Sequence, residues 1–284
     1  MIKLTMFKGG NILKSGDHFR DAGILYRKLY VKQYETQIST NDEFIITLSE
    51  TKKGVHVIDC QKYKMTGRQI HLVLPGQSSH FNFLEYTTAF QIKMTQKNFE
   101  KLRLSLPFDS RLYKDYPVFG LSEKEFQKLN HEVEKIGSEL SRYQPFLPII
   151  DSRTGTTFHE VIRLLTNRIS NLEDYTLPVV LNRFLNLIEM YYKQEHAVAF
   201  YSSALNVTKN YLAGLSQQYL QTTSRDLINN RILKEAQHLL SLKSSSIKAT
   251  MLELGFEDKS TFSHFFKRHL KMSPTAYRNI KIER

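Results

Sequence analysis

The sequence predicts an α+β multidomain fold: a small N-terminal β-barrel, a helical segment and an all-α C-terminal domain. Three patterns carry this expectation. Short runs rich in β-branched residues, punctuated by Gly and Pro, fill residues 23–103. Two apolar stripes at three-and-four spacing follow within 122–172. Beyond residue 179 the chain repeats itself at an interval of fifty residues. At 284 residues the chain is long enough for two domains. The expected boundaries are 1–120, 121–178 and 179–284.

The strand-like runs are Phe44-Ile45-Ile46-Thr47-Leu48, Val55-His56-Val57-Ile58 and Ile70-His71-Leu72-Val73-Leu74, with Gly54, Gly67 and Pro75-Gly76 as turns. Closely spaced strands of this kind predict a sandwich or small barrel. Ser122 and Glu125 then form a capping-box pattern ahead of Phe126, Leu129, Val133, Ile136 and Leu140. Prolines 145 and 148 break the chain. Thr157 and Glu160 repeat the capping pattern before Phe158, Val161, Ile162, Leu165, Ile169 and Leu172. Residues 171–178 read as the inter-domain linker.

The C-terminal repeat is the most informative part. Phe262, Phe265, Phe266 and Leu270 recur at helical spacing and mark a buried face. Gly255 stands where a sharp turn needs positive φ, and Asp258 is placed to cap the following helix. Lys259, Ser260, Thr261, His264 and Lys267 fall on the polar side, as on a helix that reads a major groove. An ordinary amphipathic surface helix would look similar. The repeat favours the first reading: Leu212, Leu215, Leu220, Thr223 and Leu227 fall on Phe262, Phe265, Leu270, Ser273 and Tyr277. Short helices at 197–205 and 247–254 each precede a turn residue, Asn206 or Gly255, and the second turn is one residue longer. Two helix-turn-helix units are predicted, at about 197–220 and 246–270, joined by a long helix over 226–242. Two such readers lie on one face of a duplex when about 34 Å apart.

Charge agrees with a polyanionic partner. The chain carries a formal net charge of +12. Residues 179–284 hold 15 Lys and Arg against 8 Asp and Glu, and the preceding 178 residues hold 25 against 20. The excess is concentrated beside the repeat, so binding should depend on salt. No apolar run approaches the ~18 residues of a membrane span, so no membrane partner is expected. Met1–Gly10 has lysines but no long apolar core after them, so no signal peptide is expected. A single cysteine, Cys60, rules out an intrachain disulfide and fits a reducing cytoplasm. It reads as a small buried hydrophobe in a strand.

The C-terminal hundred residues resemble the DNA-binding domain of AraC-type (arabinose-regulator, AraC/XylS) transcription factors. The resemblance rests on Asn230-Arg231-Ile232-Leu233-Lys234-Glu235-Ala236 with Leu239-Leu240, and on Ile247, Ala249 and Leu254-Gly255-Phe256. It continues through Phe262-Ser263, Phe265-Phe266-Lys267 and Met272-Ser273-Pro274-Thr275-Ala276-Tyr277-Arg278. It implies seven helices, beginning with 180–193. By position in the family motif it makes Lys259, Ser260, Thr261 and His264 candidates for base edges, with Lys267 on a phosphate. In the first unit Thr208 is a credible N-cap, and Lys209 and Asn210 occupy contact positions. Ala213 and Gly214 stand where the family often has longer polar side chains, and Ser216 replaces the customary aromatic.

The N-terminal region is similar to the cupin barrel of many such regulators, mainly through Gly67, Pro75-Gly76 and His80. The resemblance also implies a two-fold helix pair between subunits, expected over 122–140, with packing of that stripe on the barrel as the alternative. Tyr30, Tyr34, His56, His71 and His80 are candidate pocket residues, with simple core packing as the alternative. Many cupins are metal enzymes, but the histidine pair of their first metal motif is missing from 34–48, and His18, His56 and His71 are scattered. No metal, cofactor or catalytic residue is therefore expected.

The expected function is a cytoplasmic, nucleoid-associated, sequence-specific transcription regulator, which the resemblance makes an activator more often than a repressor. Its expected partners are promoter DNA and a second copy of itself, with a small-molecule effector and RNA polymerase as further candidates. The alternatives are a cupin-type metal enzyme fused to a DNA-binding domain, or a regulator whose N-terminal domain binds a protein or has no effector.

Overall fold

A computed structural model describes residues 10–14, 23–31, 34–35, 39–40, 42–242 and 245–282. Residues 1–9, which include most of the stretch considered for a signal peptide, and His18 lie outside it. The chain divides into two compact units, Met1–Thr176 and Leu177–Arg284.

In the first unit eleven strands are described: β1 (Gly10–Lys14), β2 (Ile24–Val31), β3 (Tyr34–Glu35), β4 (Ser39–Thr40), β5 (Glu43–Thr51), β6 (Gly54–Ile58), β7 (Gln61–Lys64), β8 (Gly67–Val73), β9 (Ser78–Phe83), β10 (Thr87–Thr95) and β11 (Val118–Gly120). They form two antiparallel sheets. One is ordered β1-β2-β10-β5-β8-β11, the other β3-β9-β6-β7 with β4 also on β9. No closed barrel forms among the described strands, and the expectation of one is corrected accordingly. Alternation along a strand tells which residues share a face but not whether the last strand meets the first; along β5 six consecutive residues, Phe44 to Ser49, are buried. Both faces of this sheet are covered. Phe44, Ile46, Leu48, Ile70, Leu72, Phe90 and Ile92 pack on helices, while the alternate residues face the second sheet.

The covering helices are α1 (Gln96–Arg103), α2 (Arg111–Asp115), α3 (Glu123–Leu140) and α4 (Leu147–Thr166), followed by a 3-10 turn at Leu172–Tyr175. The capping box of α3 forms as expected. The Ser122 amide donates to Glu125 Oε2 at 2.7 Å and the Glu125 amide to Ser122 Oγ at 3.3 Å. Its apolar stripe, Phe126 to Leu140, is buried in the core it shares with the sheet and α4. That stripe is therefore used within the subunit, and a helix pair between subunits would need the charged outer face of α3 instead. Residues 121–176 belong to the first compact unit, and Leu177, inside the stretch expected as linker, is already buried in the core of the second. Helix α4 starts ten residues before the predicted cap at Thr157, because Pro148 in its first turn is tolerated there. Thr157 is buried in mid-helix, and Glu160 binds Arg163 at 2.6 Å and Lys128 at 2.8 Å. Cys60 is exposed, not buried, because it lies in the tight β6–β7 turn with Asp59 and Cys60 both at positive φ.

The second unit contains seven described helices: α5 (Val179–Tyr191), α6 (Val198–Ala204), α7 (Lys209–Leu220), α8 (Ser224–Ser241), α9 (Ile247–Glu253), α10 (Lys259–Leu270) and α11 (Pro274–Ile282). Its core gathers Leu181, Phe184, Tyr201, Leu212, Ile228, Ile232, Leu240, Leu254, Phe262 and Phe266. Helix α8 runs through the middle. Its Arg231 pairs with Glu189 of α5 at 2.8 Å, bonds Glu235 at 3.0 Å and stacks 3.8 Å over the Tyr192 ring.

Candidate nucleic-acid interface

The pairs α6–α7 and α9–α10 are built to one plan. Asn206 (φ +54°) and Gly255 (φ +73°) both adopt the left-handed conformation. Each is flanked by the two hydrogen bonds of a Schellman turn. Asn206 N donates to Ser203 O and Val207 N to Ser202 O; Gly255 N donates to Leu252 O and Phe256 N to Met251 O. Thr208 caps α7 through the Tyr211 amide at 3.1 Å, and Asp258 caps α10 through the Thr261 amide at 2.7 Å. Both second helices end on a left-handed residue, Gln221 or Lys271, whose amide returns to the carbonyl of Gln217 or Lys267. Thr223 and Ser273 then cap α8 and α11. The fifty-residue repeat of the sequence is thus a repeat of backbone hydrogen bonding.

The two pairs differ where their cores differ. Phe266 is buried against Tyr277, with ring centroids 5.5 Å apart. At the matching place Ser216 is buried, donates to Leu212 O at 2.9 Å and lies 2.9 Å from Ser224 Oγ. Ser216→Ala is expected to destabilise this unit by about 1–3 kcal/mol, since it strands the buried Ser224 hydroxyl. Removing both hydroxyls in Ser216→Ala/Ser224→Ala should recover most of that loss. A double-mutant cycle by urea unfolding with no coupling would overturn this account.

Thr208, Lys209, Asn210, Ala213, Gly214, Lys259, Ser260, Thr261, His264 and Lys267 are all exposed. The cap modifies one of them: Thr261 Oγ1 donates to Asp258 Oδ2 at 2.6 Å, so its proton is committed and only its lone pairs face outward. That bond and the Thr261 amide hold the Asp258 carboxyl below the usual carboxylate range. Aligned on the repeat, Lys209, Asn210, Tyr211, Gly214 and Gln217 occupy the places of Lys259, Ser260, Thr261, His264 and Lys267. Tyr211 was absent from the sequence-based candidates because an aromatic reads as core, yet it is 52% exposed at the start of α7. A Cβ on Gly214 would meet nothing within 4 Å, so that face of α7 is flat and open.

The candidate pocket residues separate. His56 on β6 and His71 on β8 meet between the two sheets, fully buried, with Nδ1 atoms 3.1 Å apart. Phe81 stacks on His56 at 3.6 Å. Burial first, then the neighbouring imidazoles, hold His56 well below the usual imidazole range; burial does the same for His71. His80 is next to Phe81 on β9 and so points to the opposite face of that sheet. Tyr30 is 60% exposed beside Tyr86 and does not line the interior. The Tyr34 side chain lies outside the described residues. Among the described residues no three His, Cys, Asp or Glu side chains come together in a metal-binding arrangement, and no helix is long and apolar enough to cross a membrane.

Residues 201–280 match the family model of a helix-turn-helix domain. The chain is 32% identical over 74 residues to the raffinose operon transcriptional regulatory protein RafR of Pediococcus pentosaceus, covering 26% of this chain and 27% of that protein. It is 25% identical over 154 residues to the melibiose operon regulatory protein of Escherichia coli K12, covering 54% and 47%. Among solved structures, fatty-acid-bound ToxT of Vibrio cholerae aligns with 98% of this chain and 97% of its own at 15% identity, with a TM-score of 0.41. The chain spans from about a quarter to about half the length of these two curated relatives.

Proposed function

With a C-terminal unit that belongs to the AraC-type helix-turn-helix family, we propose that this chain is a sequence-specific transcription regulator whose N-terminal unit senses a ligand. The observation that carries the reading is the twice-built helix pair, with the exposed polar first turns of α7 and α10 as two DNA readers. In α10, Lys259 and Ser260 donate to base edges, Thr261 accepts through its free lone pairs, and His264 reads one helical turn further on. Lys267 holds a phosphate. In α7, Lys209, Asn210 and Tyr211 make the contacts, while Ala213 and Gly214 let the helix approach closely. The α10 reader is the more discriminating, because Gly214 carries no counterpart to the imidazole of His264; Gln217 likewise lacks the charge with which Lys267 holds its phosphate.

The test is selection of bound genomic fragments by the purified protein at ~150 mM salt with nonspecific competitor. A recurrent two-part motif is expected. Lys259→Ala and His264→Ala should each weaken binding by about 1–3 kcal/mol and relax preference at one position, whereas Lys267→Ala should weaken all sites alike. Unchanged profiles for the first two variants would refute these assignments.

The reading includes homodimerisation, activation through contact with RNA polymerase and a cytoplasmic location. With the α3 stripe buried, the exposed Tyr143 and Phe146 between α3 and α4, with Leu147 and Ile149 in the first turn of α4, offer an apolar surface for self-association. The names of two relatives, regulators of a raffinose and a melibiose operon, support a small polar metabolite as effector, with His56 and His71 at its site.

A further inference from the structure

Helix α7 presents a face that its own fold does not explain. Asn210, Ala213 and Gly214 stand at i, i+3 and i+4 and form one exposed row, with Lys209 on one flank and Tyr211 on the other. Gln217 continues the row one turn on, and Leu212, Leu215 and Ser216 are buried behind it. The matching row of α10 is Ser260, Ser263 and His264, continued by Lys267. Every place in the α10 row carries a hydrogen-bonding side chain. The centre of the α7 row carries a methyl group and a hydrogen atom.

Gly214 is the residue to account for. It lies in the middle of a helix of 12 residues, where glycine is less favourable than alanine. A Cβ there would meet nothing within 4 Å, whereas one on Gly137 of α3 would strike the Tyr26 ring. Packing therefore asks for glycine at 137 and not at 214. A residue that weakens its helix and relieves no contact within the chain is explained by what comes against it from outside.

On the reading of α7 as a DNA reader, that object is a base edge. Major-groove edges differ in their polar atoms and in one apolar group, the 5-methyl of thymine. A methyl side chain beside a bare Cα offers no hydrogen bond to any base, but gives a thymine methyl room to pack on the helix. Asn210, at the head of the row, has the amide that pairs with N6 and N7 of adenine. Tyr211, 52% exposed, adds a ring at the side of the row. Lys209 can donate to a guanine at the border of the half-site, while the row itself carries no cation.

We propose that α7 reads thymine 5-methyl groups in an A·T stretch at the centre of its half-site, with Ala213 and Gly214 admitting the methyls and Asn210 on an adenine. The proposal rests on the reading of α7 and α10 as DNA readers and names the sequence class that the first of them takes. The test uses the full chain and the two-part motif it selects from a random duplex library. Asn210→Ala and His264→Ala each relax preference in one half and so assign the halves to their helices. The α7 half should have A·T pairs at its centre. Exchanging its thymines for deoxyuridine removes methyl groups and keeps every base pair. Each contacted methyl lost should weaken binding about fourfold, while the same exchange in the α10 half should leave affinity nearly unchanged. Gly214→Ala should raise the unfolding midpoint of the C-terminal unit, yet weaken binding about tenfold. On the deoxyuridine duplex that variant should lose less, because the missing methyl leaves room for the new Cβ.

An A·T half that tolerates deoxyuridine would mean that DNA shape is read instead of methyl groups, and would overturn the proposal. Wild-type affinity in Gly214→Ala, an unchanged profile in Asn210→Ala, or a G·C pair at the centre of the α7 half would overturn it too. In each of these cases a specific motif still forms and the regulator reading stands. Failure to enrich any motif would reject that reading, and the proposal with it.

Discussion

Gly255→Ala is expected to destabilise the C-terminal unit by about 4 kcal/mol or more and to abolish specific DNA binding, the largest single-site effect in this half of the chain. Two costs add. The residue is held at φ +73°, which a non-glycine residue meets at about 1–2 kcal/mol. An added Cβ would also land on the carbonyl oxygen of Lys193, in the turn just past the end of α5. That atom is backbone and cannot swing away, so α5 must shift from the turn between α9 and α10. The shift would move Phe256, which packs on Phe262 and on His196, and with it the cap of α10. The first turn provides the control. Asn206 has the same left-handed conformation with an L side chain, so Asn206→Gly should change stability by only a few tenths of a kcal/mol. Gly255→Asn separates the two costs: asparagine tolerates the backbone conformation but not the approach of α5, so it should remain severe. Differential scanning calorimetry of the full chain measures both. Gly255→Ala or Gly255→Asn within about 1 kcal/mol of wild type would show that α5 yields, and that the turn is not the rigid junction described.

What was legible in the sequence depended on whether a local signal sufficed. Caps were, because the side chain that accepts an amide proton is named by its own residue type. Ser122, Thr208 and Asp258 all take the amide three residues on. The fifty-residue repeat was legible for the same reason, since Asn206 and Gly255 signal the same backbone conformation in different letters. Thr157 misled because Thr-x-x-Glu also occurs inside a helix, where Thr157 faces the core. The closed barrel failed because alternation tells which residues share a face but not whether the last strand meets the first. Tyr30 and His80 failed on alternation itself: each lies on the wrong face of its strand for the space between the sheets. The juxtaposition of Arg27, Gln91, Thr47 and His71 across four strands was out of reach, since they are neighbours only through register. Nothing local sets register across strands so far apart in the chain.

The second large effect arises from the two imidazoles buried between the sheets, His56 and His71. Lowering the pH from 6.5 to 5 should destabilise the N-terminal unit by roughly 3 kcal/mol. His56 and His71 are fully buried and share one Nδ1–Nδ1 contact. Burial holds both pKa values down, and for His56 the imidazoles of His71 and His80 lower it further. In the unfolded chain each takes a proton near pH 6.5. Between that value and the depressed folded value the unfolded state binds more protons, so stability rises with pH. The contribution is complete above the unfolded value and is lost as pH falls towards the folded one, at about 1.4 kcal/mol per pH unit for each ring. The carboxylates with depressed pKa values, such as Glu125 and Glu160, contribute in the same direction but only at lower pH, so the window from 6.5 to 5 reports mainly the imidazoles. The C-terminal unit supplies an internal comparison, because burial lowers the His196 imidazole there. Calorimetry that resolves the two units should find a slope against pH about twice as steep for the N-terminal transition. His56→Gln/His71→Gln should flatten that slope while leaving the C-terminal one unchanged. A wild-type N-terminal midpoint that holds steady from pH 7 to 5 would mean that a folded imidazole accepts a proton.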